Sequence, residues 1–286
     1  MPLETMTTIA GLRERLQLAR RSGKTVGLVP TMGYLHRGHA ALVDRARVEN
    51  DVVVTSVFVN PLQFGPNEDF ARYPRDLDAD RKLLAAHGAD FVFAPSVEEM
   101  YPHPIATHIE VETLSSRLEG ERRPGHFRGV ATVVGKLFNI VQPDRAYFGE
   151  KDYQQLQVIR RMVADLSFGL EVVGVPTVRD TDGVALSSRN VYLSPAEREA
   201  APVLSRSLAA AAESIGAGTV DPQGIEAVIR KTLAAEPLAE PDLVAVAAAD
   251  TLEPVDPTTP PSAIALMIAV RIGRTRLIDQ RVVAVS

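Results

Sequence analysis

Apolar residues along this chain follow two patterns in alternation, short continuous runs and stretches with helical spacing. Residues 51–60, DVVVTSVFVN, are apolar at nearly every position, which is typical of a strand buried on both faces of a parallel sheet. From Phe127 to Val141 the apolar positions instead trace one face of a helix. The same reasoning predicts strands at 25–31, 90–94, 145–149 and 170–178, and helices at 11–22, 38–49, 76–87 and 151–166. This alternation predicts right-handed βαβ units and a doubly wound parallel sheet.

The pattern changes after about residue 178. Two alanine-rich helical stretches, 195–216 and 221–235, precede three runs typical of strands, at 243–248, 264–271 and 275–285. The short turn between the last two runs predicts a hairpin. We therefore expect an α/β fold, a Rossmann-like doubly wound parallel sheet with a smaller C-terminal α+β domain that carries an antiparallel sheet. The expected domains are 1–177 and 178–286.

Composition and charge narrow the possible functions. A net charge of −5 and a pI near 5.7 oppose a nucleic-acid binder that neutralises many phosphates. The absence of cysteine excludes disulfides, thiolate metal sites and cysteine nucleophiles. The apolar run 262–270 is too short for a membrane helix, and residues 1–6 lack a signal-peptide pattern. We expect a cytoplasmic protein without nucleic-acid or membrane partners.

The segment PTMGYLHRGH, residues 30–39, leaves a predicted strand, turns at Gly33 and enters a predicted helix. A helix N-terminus presents N–H groups and a partial positive charge that suit a phosphate. His36 and His39 could both donate to one polyphosphate, and Gly38 would let the backbone approach closely. Two other interpretations of this motif stay open: histidines that only cap the helix, and a zinc site, which the lack of cysteine and of a third nearby histidine disfavours.

Two later segments have related chemistry. In YFGEKDYQQ, residues 147–155, Lys151 lies where a helix is predicted to begin, so its ammonium could meet phosphate oxygens whose charge grows during transfer. A solvated lysine at a helix start is the alternative. In LSSRN, residues 186–190, two hydroxyls and a guanidinium could close over a triphosphate, although such loops are common. Together, the three ordered segments predict an ATP-using enzyme that transfers a nucleotidyl group at the α-phosphate.

Five motifs in this order resemble the pantothenate synthetase family of pantoate–β-alanine ligases, within the broader class of nucleotidylyltransferases with an H-x-G-H loop. They are PTMGYLHRGH at 30–39, VFVNPLQF at 57–64, HFRGV at 126–130, YFGEKDYQQ at 147–155 and LSSRN at 186–190. The resemblance spans residues 25–193, and the strand-rich tail fits the family's small C-terminal domain. It implies an AMP-forming acid–amine ligase: pantoate and ATP give pantoyl adenylate and pyrophosphate, and β-alanine then releases pantothenate, a coenzyme A precursor. It also implies magnesium with the ATP, and a homodimer.

The resemblance also implies roles for individual residues. The implied catalytic residues are His39, as an acid, with His36, Lys151 and Arg189. The implied ATP-binding residues are Met32, Gly33, Tyr34, Leu35, His36, Arg37, Gly38, His39, Gly149, Glu150, Lys151, Asp152, Val178, Leu186, Ser187, Ser188 and Arg189. The implied substrate-binding residues are Gln63, Gln155, Asn60, Arg123, His126 and Tyr73. Residues 1–177 would bind nucleotide and pantoate, and 178–286 would cover the active site.

These roles agree with the chemistry. Pantoate supplies its own carboxylate nucleophile, so the protein must provide placement and charge stabilisation. Gln63 and Gln155 could bind pantoate without adding charge. Closure of residues 66–73 or 187–189 over the adenylate is a further hypothesis.

This chain departs from the family pattern at residues that could bind magnesium. Some relatives have adjacent aspartates where this chain has Ala79-Asp80. Asp80 and Asp78 are the candidate metal ligands. A solvated acidic helix start is the alternative, and the metal could be held by phosphates and water.

Two other functions remain as alternatives. Another H-x-G-H adenylyltransferase, for a phosphorylated substrate such as phosphopantetheine, would favour extra cations where Gln63 and Gln155 are neutral. A nucleotide-binding module without catalysis would show decay in a phosphate motif, and each of the three motifs is intact.

Overall fold

The computed structural model of this chain describes residues 2–66 and 68–285. Asn67, within the segment 66–73 that is hypothesised to close, lies outside the described residues, as do Met1 and Ser286. The chain divides into two compact units, one formed by Met1–Gly149 and Val158–Pro176 and the other by Glu150–Gln157 and Thr177–Ser286. In the described part of the chain, every helix is too short or too polar to span a bilayer.

The first unit is built on six parallel strands in the order β1-β4-β3-β2-β5-β6. The strands are β1 (Glu4–Met6), β2 (Val26–Thr31), β3 (Val52–Val57), β4 (Phe91–Phe93), β5 (Arg145–Gly149) and β6 (Glu171–Val175). The helices are α1 (Ile9–Arg21), α2 (Arg37–Glu49), α3 (Leu77–Ala86), α4 (Val97–Met100), α5 (Glu119–Arg122), α6 (His126–Val141) and the part of α7 (Tyr153–Asp165) from Val158 onward. The predicted doubly wound sheet is confirmed.

The central strands of this sheet are buried, as the architecture requires. Val52, Val53 and Val54 of β3 are all buried, as are Val26 and Leu28 of β2, because helices cover both faces of a parallel sheet. The strand order reverses direction at β2, which lies between β3 and β5. Ligands of such sheets bind outside the carboxyl ends of the strands at this switch point. Thr31 and Gly149 end β2 and β5 at that edge, so the H-x-G-H loop and the 147–155 segment leave neighbouring strands.

The second unit carries a three-stranded antiparallel sheet in the order β7-β8-β9, as predicted. Its elements are α8 (Pro195–Ala200), α9 (Val203–Gly216), α10 (Pro222–Leu233), β7 (Ala239–Ala248), β8 (Ala263–Ile272) and β9 (Thr275–Ala284). Leu208 and Ile229 from the helices and Ile268 from the sheet share one core. The predicted single helix over 195–216 is wrong: it is divided before Val203, where Pro202 lacks the N–H that a continuous helix would need.

The segment after β5 also differs from the prediction. Residues Glu150–Asp152 form a turn of 3₁₀ helix, and α7 begins only at Tyr153. The Tyr153 hydroxyl donates to the carbonyl of Ala249 at 3.0 Å, and both residues belong to the second unit. The chain therefore contributes eight residues, 150–157, to the second unit before the main C-terminal part begins at Thr177.

Candidate active site

The turn between β2 and α2 has an unusual backbone. Gly33 has φ +85° and the next residue, Tyr34, has φ +51°, so two consecutive residues have a left-handed backbone conformation. Glycine adopts this conformation without strain, and tyrosine rarely does. A Cβ at Gly33 would lie 2.9 Å from Val57 Cγ1 and 3.0 Å from Asp80 Oδ2, so the position also lacks room for a side chain.

Asp80, from the first turn of α3, holds this turn. Its Oδ2 accepts from the N–H of Tyr34 at 2.9 Å, and its Oδ1 accepts from the N–H of Leu35 at 2.6 Å. The residue is 2 % exposed. Burial raises the pKa of Asp80, although the two backbone donors act to lower it.

This geometry disagrees with the predicted magnesium site. Both oxygens of Asp80 bind backbone N–H groups, and the side chain of Asp78 is 86 % exposed and lies 3.7 Å from Arg81. Among the residues that the structure describes, no three His, Asp or Glu side chains are grouped to hold a metal ion. Asp78 and Asp80 therefore do not fit a magnesium ion held by the protein, and the zinc interpretation of the histidine loop gains no support.

The two histidines of the H-x-G-H motif both cap α2 through Nδ1. His36 Nδ1 accepts from the N–H of Gly38 at 3.1 Å, and His39 Nδ1 accepts from the N–H of His36 at 3.3 Å. An imidazole that accepts through Nδ1 carries its proton on Nε2 when it is neutral. The rings lie 4.2 Å apart between centroids. Capping thus favours the neutral tautomer with the proton on Nε2 in both rings, and donation to phosphate stays a prediction.

A buried amide network follows β3, at the 3₁₀ turn Pro61–Gln63. Asn60 Oδ1 accepts from the N–H of Leu62 at 3.3 Å, and its Nδ2 donates to the carbonyl of Gly129 at 3.2 Å. These two backbone groups establish which atom of the Asn60 side-chain amide is the oxygen and which is the nitrogen. Asn60 Nδ2 also donates to Gln63 Oε1 at 3.1 Å. Gln63 Nε2, the other end, lies 3.1 Å from the sulfur of Met32.

This contact brings two predicted groups of site residues together in the first unit. Met32 belongs to the predicted ATP loop, and Gln63 is a predicted ligand of pantoate. The neighbouring strands β2 and β3 end at the same edge of the sheet, which places the segments that follow them side by side.

Tyr101 belongs to this network, although no sequence motif pointed to it. Its hydroxyl donates to Asn60 Oδ1 at 2.9 Å across 41 positions of sequence. Burial raises the pKa of the Tyr101 hydroxyl, which keeps it protonated as a donor. Lys136 Nζ lies 5.5 Å from the centroid of the Tyr101 ring.

Arg123 and His126 contact the backbone of Gln63. His126 Nδ1 donates to the Gln63 carbonyl at 2.8 Å, and Arg123 Nη1 lies 3.1 Å from His126 Nε2. Burial, with Arg123 beside it, lowers the pKa of His126 to about 4. Glu68, another residue that the sequence did not single out, binds Arg123 through both oxygens at 2.6 Å. Tyr73 is buried, with its ring edge-on to Phe64 at 5.9 Å between centroids.

The second unit holds the predicted residues between positions 150 and 155 and those from Val178 onward. Lys151 and Ser187 line a small cavity of about 10 Å³ together with Asn190 and the buried Asp279. Ser187 Oγ accepts from the N–H of Arg189 at 3.3 Å and caps the 3₁₀ turn Ser188–Tyr192. The structure therefore brings the lysine turn and the serine loop together within this unit.

A short hairpin presents the serine loop. The carbonyl of Val178 accepts from the N–H of Leu186 at 3.0 Å. Arg198 bonds to the carboxylates of Asp180 and Asp182 in the same hairpin. Of the other predicted residues, Gly149 ends β5, Glu150 and Asp152 lie in the 3₁₀ turn, and Gln155 is a half-buried residue of α7.

Comparison with known proteins decides the family. The family model described as Pantoate-beta-alanine ligase matches residues 4–282. This chain belongs to the pantoate–β-alanine ligase family. The family resemblance inferred from the motifs is thereby confirmed, and so is the predicted enzyme class, a ligase.

Relatives and solved structures agree with this membership. The chain is 59 % identical to the pantothenate synthetase of Rhizobium rhizogenes, over 98 % of this chain and 96 % of the relative. The crystal structure of pantothenate synthetase from Thermus thermophilus matches with a TM-score of 0.91 at 55 % identity, over 97 % of this chain and 98 % of that one. A pantoate–β-alanine ligase from Francisella tularensis, solved in complex with βγ-ATP and β-alanine, matches with a TM-score of 0.77 at 33 % identity, over 98 % and 97 % of the two chains.

Proposed function

We propose that this chain condenses pantoate with β-alanine in an ATP-dependent reaction that passes through pantoyl adenylate and releases pyrophosphate and AMP. The observation that carries the proposal is the contact between Met32 and Gln63, at 3.1 Å. Adenylation requires a carboxylate oxygen to reach the α-phosphate in line, so an acid-binding group must lie beside the nucleotide loop. The relative solved with βγ-ATP and β-alanine supports the same ligands for this chain.

In the first step, a carboxylate oxygen of pantoate attacks the α-phosphorus, and the bond to the bridging oxygen of the β-phosphate breaks. Negative charge accumulates on the departing pyrophosphate. His36 and His39 donate from Nε2 to phosphate oxygens, and Lys151 and Arg189 supply positive charge. Gln63 Nε2 donates to the acid, and Gln155 holds a second polar group of pantoate.

In the second step, the amine of β-alanine attacks the acyl carbon of the adenylate. The carbon–oxygen bond to AMP then breaks, and the nitrogen loses a proton to give the amide. Gln63 also lies toward the β-alanine position in this proposal. The ATP contacts are completed by residues 32–39, 149–152, 178 and 186–189, and the pocket is completed by Asn60, Arg123, His126 and Tyr73.

In this proposal magnesium would be carried by the phosphates of ATP, because Asp78 and Asp80 do not fit a protein site. Bound there, it would neutralise phosphate charge. The homodimer, the cytoplasmic location, and the division into a binding domain (1–177) and a covering domain (178–286) are further parts of the proposal, and the family resemblance supports them.

The test is exchange of labelled pyrophosphate into ATP without β-alanine. We expect exchange that depends on pantoate, because only adenylate formation and its reversal carry the label. Exchange that ignores pantoate, or that requires phosphopantetheine instead, would refute the assignment.

A second measurement tests the intermediate. Pantoate labelled with ¹⁸O in its carboxylate should transfer one labelled oxygen to AMP during complete turnover, since the attacking oxygen stays on the α-phosphorus. Unlabelled AMP would exclude pantoyl adenylate while leaving open a ligase with another activated intermediate.

A further inference from the structure

We propose that Asp80 is a positioning residue for adenylation, because its carboxylate binds the N–H groups of Tyr34 and Leu35 and so fixes the turn that aims His36 and His39. This inference rests on the proposed function, in which those histidines contact the phosphates. It gives Asp80 a role in place of the metal ligation that the sequence suggested.

The turn at Tyr34 and Leu35 has the geometry of an anion site. Consecutive N–H groups in a left-handed turn form a concave anion site of the kind that often holds a phosphate. Here the anion is supplied by the chain itself, with one oxygen of Asp80 on each N–H, at 2.9 and 2.6 Å. These N–H groups are therefore committed to Asp80, and phosphate recognition passes to the histidine Nε2 donors.

The backbone of Tyr34 is strained. Tyr34 at φ +51° is in a conformation that a non-glycine residue rarely adopts unaided. Hydrogen bonds to a carboxylate are stronger than neutral ones, so the two bonds to Asp80 can hold this backbone in place. Leu35 is followed directly by His36, whose ring caps α2. A change at Asp80 is thus transmitted through the backbone to the orientation of both rings.

Asp80 is a rigid anchor for this turn. Asp80 is 2 % exposed and lies in α3, where its own N–H donates to the carbonyl of Asp76 at 3.0 Å. Asp78, two residues away in the same helical turn, is exposed and contacts Arg81. The two carboxylates differ in what they bind, which makes Asp78 a matched control.

The experiment compares Asp80→Asn with Asp78→Asn in pantoate-dependent pyrophosphate exchange. Asparagine keeps one acceptor but places an NH₂ against the other backbone N–H. For Asp80→Asn we expect kcat/KM for ATP to fall about tenfold or more, with KM for ATP raised. KM for pantoate and the magnesium concentration at half-maximal rate should stay unchanged. A loss of folded protein alone would lower kcat without raising KM for ATP, and Asp78→Asn should match the wild type.

A shift in the magnesium dependence of Asp80→Asn would overturn the proposal in favour of a metal ligand. An unchanged KM for ATP would overturn it as well. Absence of pantoate-dependent exchange in the wild type would instead refute the proposed function.

Amide hydrogen exchange of the wild-type chain, followed by NMR without ligands, tests the anchor independently of activity and of variant folding. We expect slow exchange at Tyr34 and Leu35. Rapid exchange at both would show that Asp80 does not hold them, and would overturn the proposal.

Discussion

The side-chain amide of Asn60 donates from Nδ2 to Oε1 of Gln63 at 3.1 Å. Because the N–H of Leu62 and the carbonyl of Gly129 fix the orientation of Asn60, Gln63 turns its oxygen toward Asn60 and its NH₂ away. In the proposed function, Gln63 would therefore meet pantoate as a hydrogen-bond donor. This polarity suits the carboxylate and hydroxyl oxygens of pantoate, and contacts within the protein set it.

The first prediction concerns this polarity. Asn60→Asp keeps the shape of the side chain but removes the donor, so Gln63 loses the partner that orients it. We expect KM for pantoate to rise about tenfold or more, with KM for ATP changed far less. Steady-state exchange kinetics would measure both, with the exposed Asn139→Asp on α6 as the control.

Tyr101→Phe removes only the hydroxyl that donates to Asn60, and it should produce a smaller rise of a few-fold in KM for pantoate. A folded Asn60→Asp variant with wild-type KM for pantoate would contradict the orienting role of Asn60.

The second prediction separates the two functions of His39. In His39→Asn, the Oδ1 atom can replace Nδ1 as the acceptor for the N–H of His36, but the distal donor is lost. We expect both His39→Asn and His39→Ala to slow adenylate formation by about 10²-fold or more. Only His39→Ala should lose helix capping, which costs about 1 kcal/mol of stability. Pyrophosphate exchange and urea unfolding measure the two effects, and near-normal exchange in His39→Asn would remove this histidine from the mechanism.

The third prediction concerns Lys151 in the second unit. Lys151→Ala should slow adenylate formation by about 10²-fold or more, as expected for a lost cation at the pyrophosphate leaving group. Lys231→Ala, an exposed lysine of α10, is the matched control and should leave exchange unchanged. Equal rates for the two variants would show that Lys151 is only a solvated lysine.

The fourth prediction is a pH dependence of stability that arises from His126. The neutral ring donates from Nδ1 to the Gln63 carbonyl and presents Nε2 to Arg123, so protonation would set an N–H against a cation. The pKa of His126 falls from its ordinary 6.5 to about 4 on folding. The folded state then binds fewer protons than the unfolded state, so stability is complete above pH 6.5 and decreases as the pH falls toward 4.

The loss attributable to His126 should reach about 3 kcal/mol at the acid end of this range. Urea unfolding from pH 7 to pH 4 would measure it. His126→Asn, which can still donate to Gln63, should lose much of this pH dependence, whereas a variant of the exposed His103 should retain it. An unchanged slope in His126→Asn would contradict the assignment.

Part of the active site follows from local sequence, and part does not. The H-x-G-H motif indicated either capping or phosphate donation; the structure shows both histidines capping α2 through Nδ1, and donation to phosphate stays a prediction. No local pattern could show that Asp80 reaches Tyr34, 46 positions away, or that Glu68 pairs with Arg123 across 55 positions. The backbone contacts of Asp80 do not fit the metal-ligand interpretation, and an acid at a helix start does not reveal in the sequence which backbone groups pack against it.

The sequence by itself determined the alternation of strands and helices, the antiparallel tail, and the order of the motifs that mark the ligase family. These depend on periodicity and on residue types at short spacing, which are local properties of the chain. The tertiary structure alone decided that Tyr101 and Asn60 orient Gln63, that Met32 lies beside it, and that a buried carboxylate holds the histidine turn. Those relationships arise when distant segments meet at the end of parallel strands, where packing and hydrogen-bond geometry select the partners.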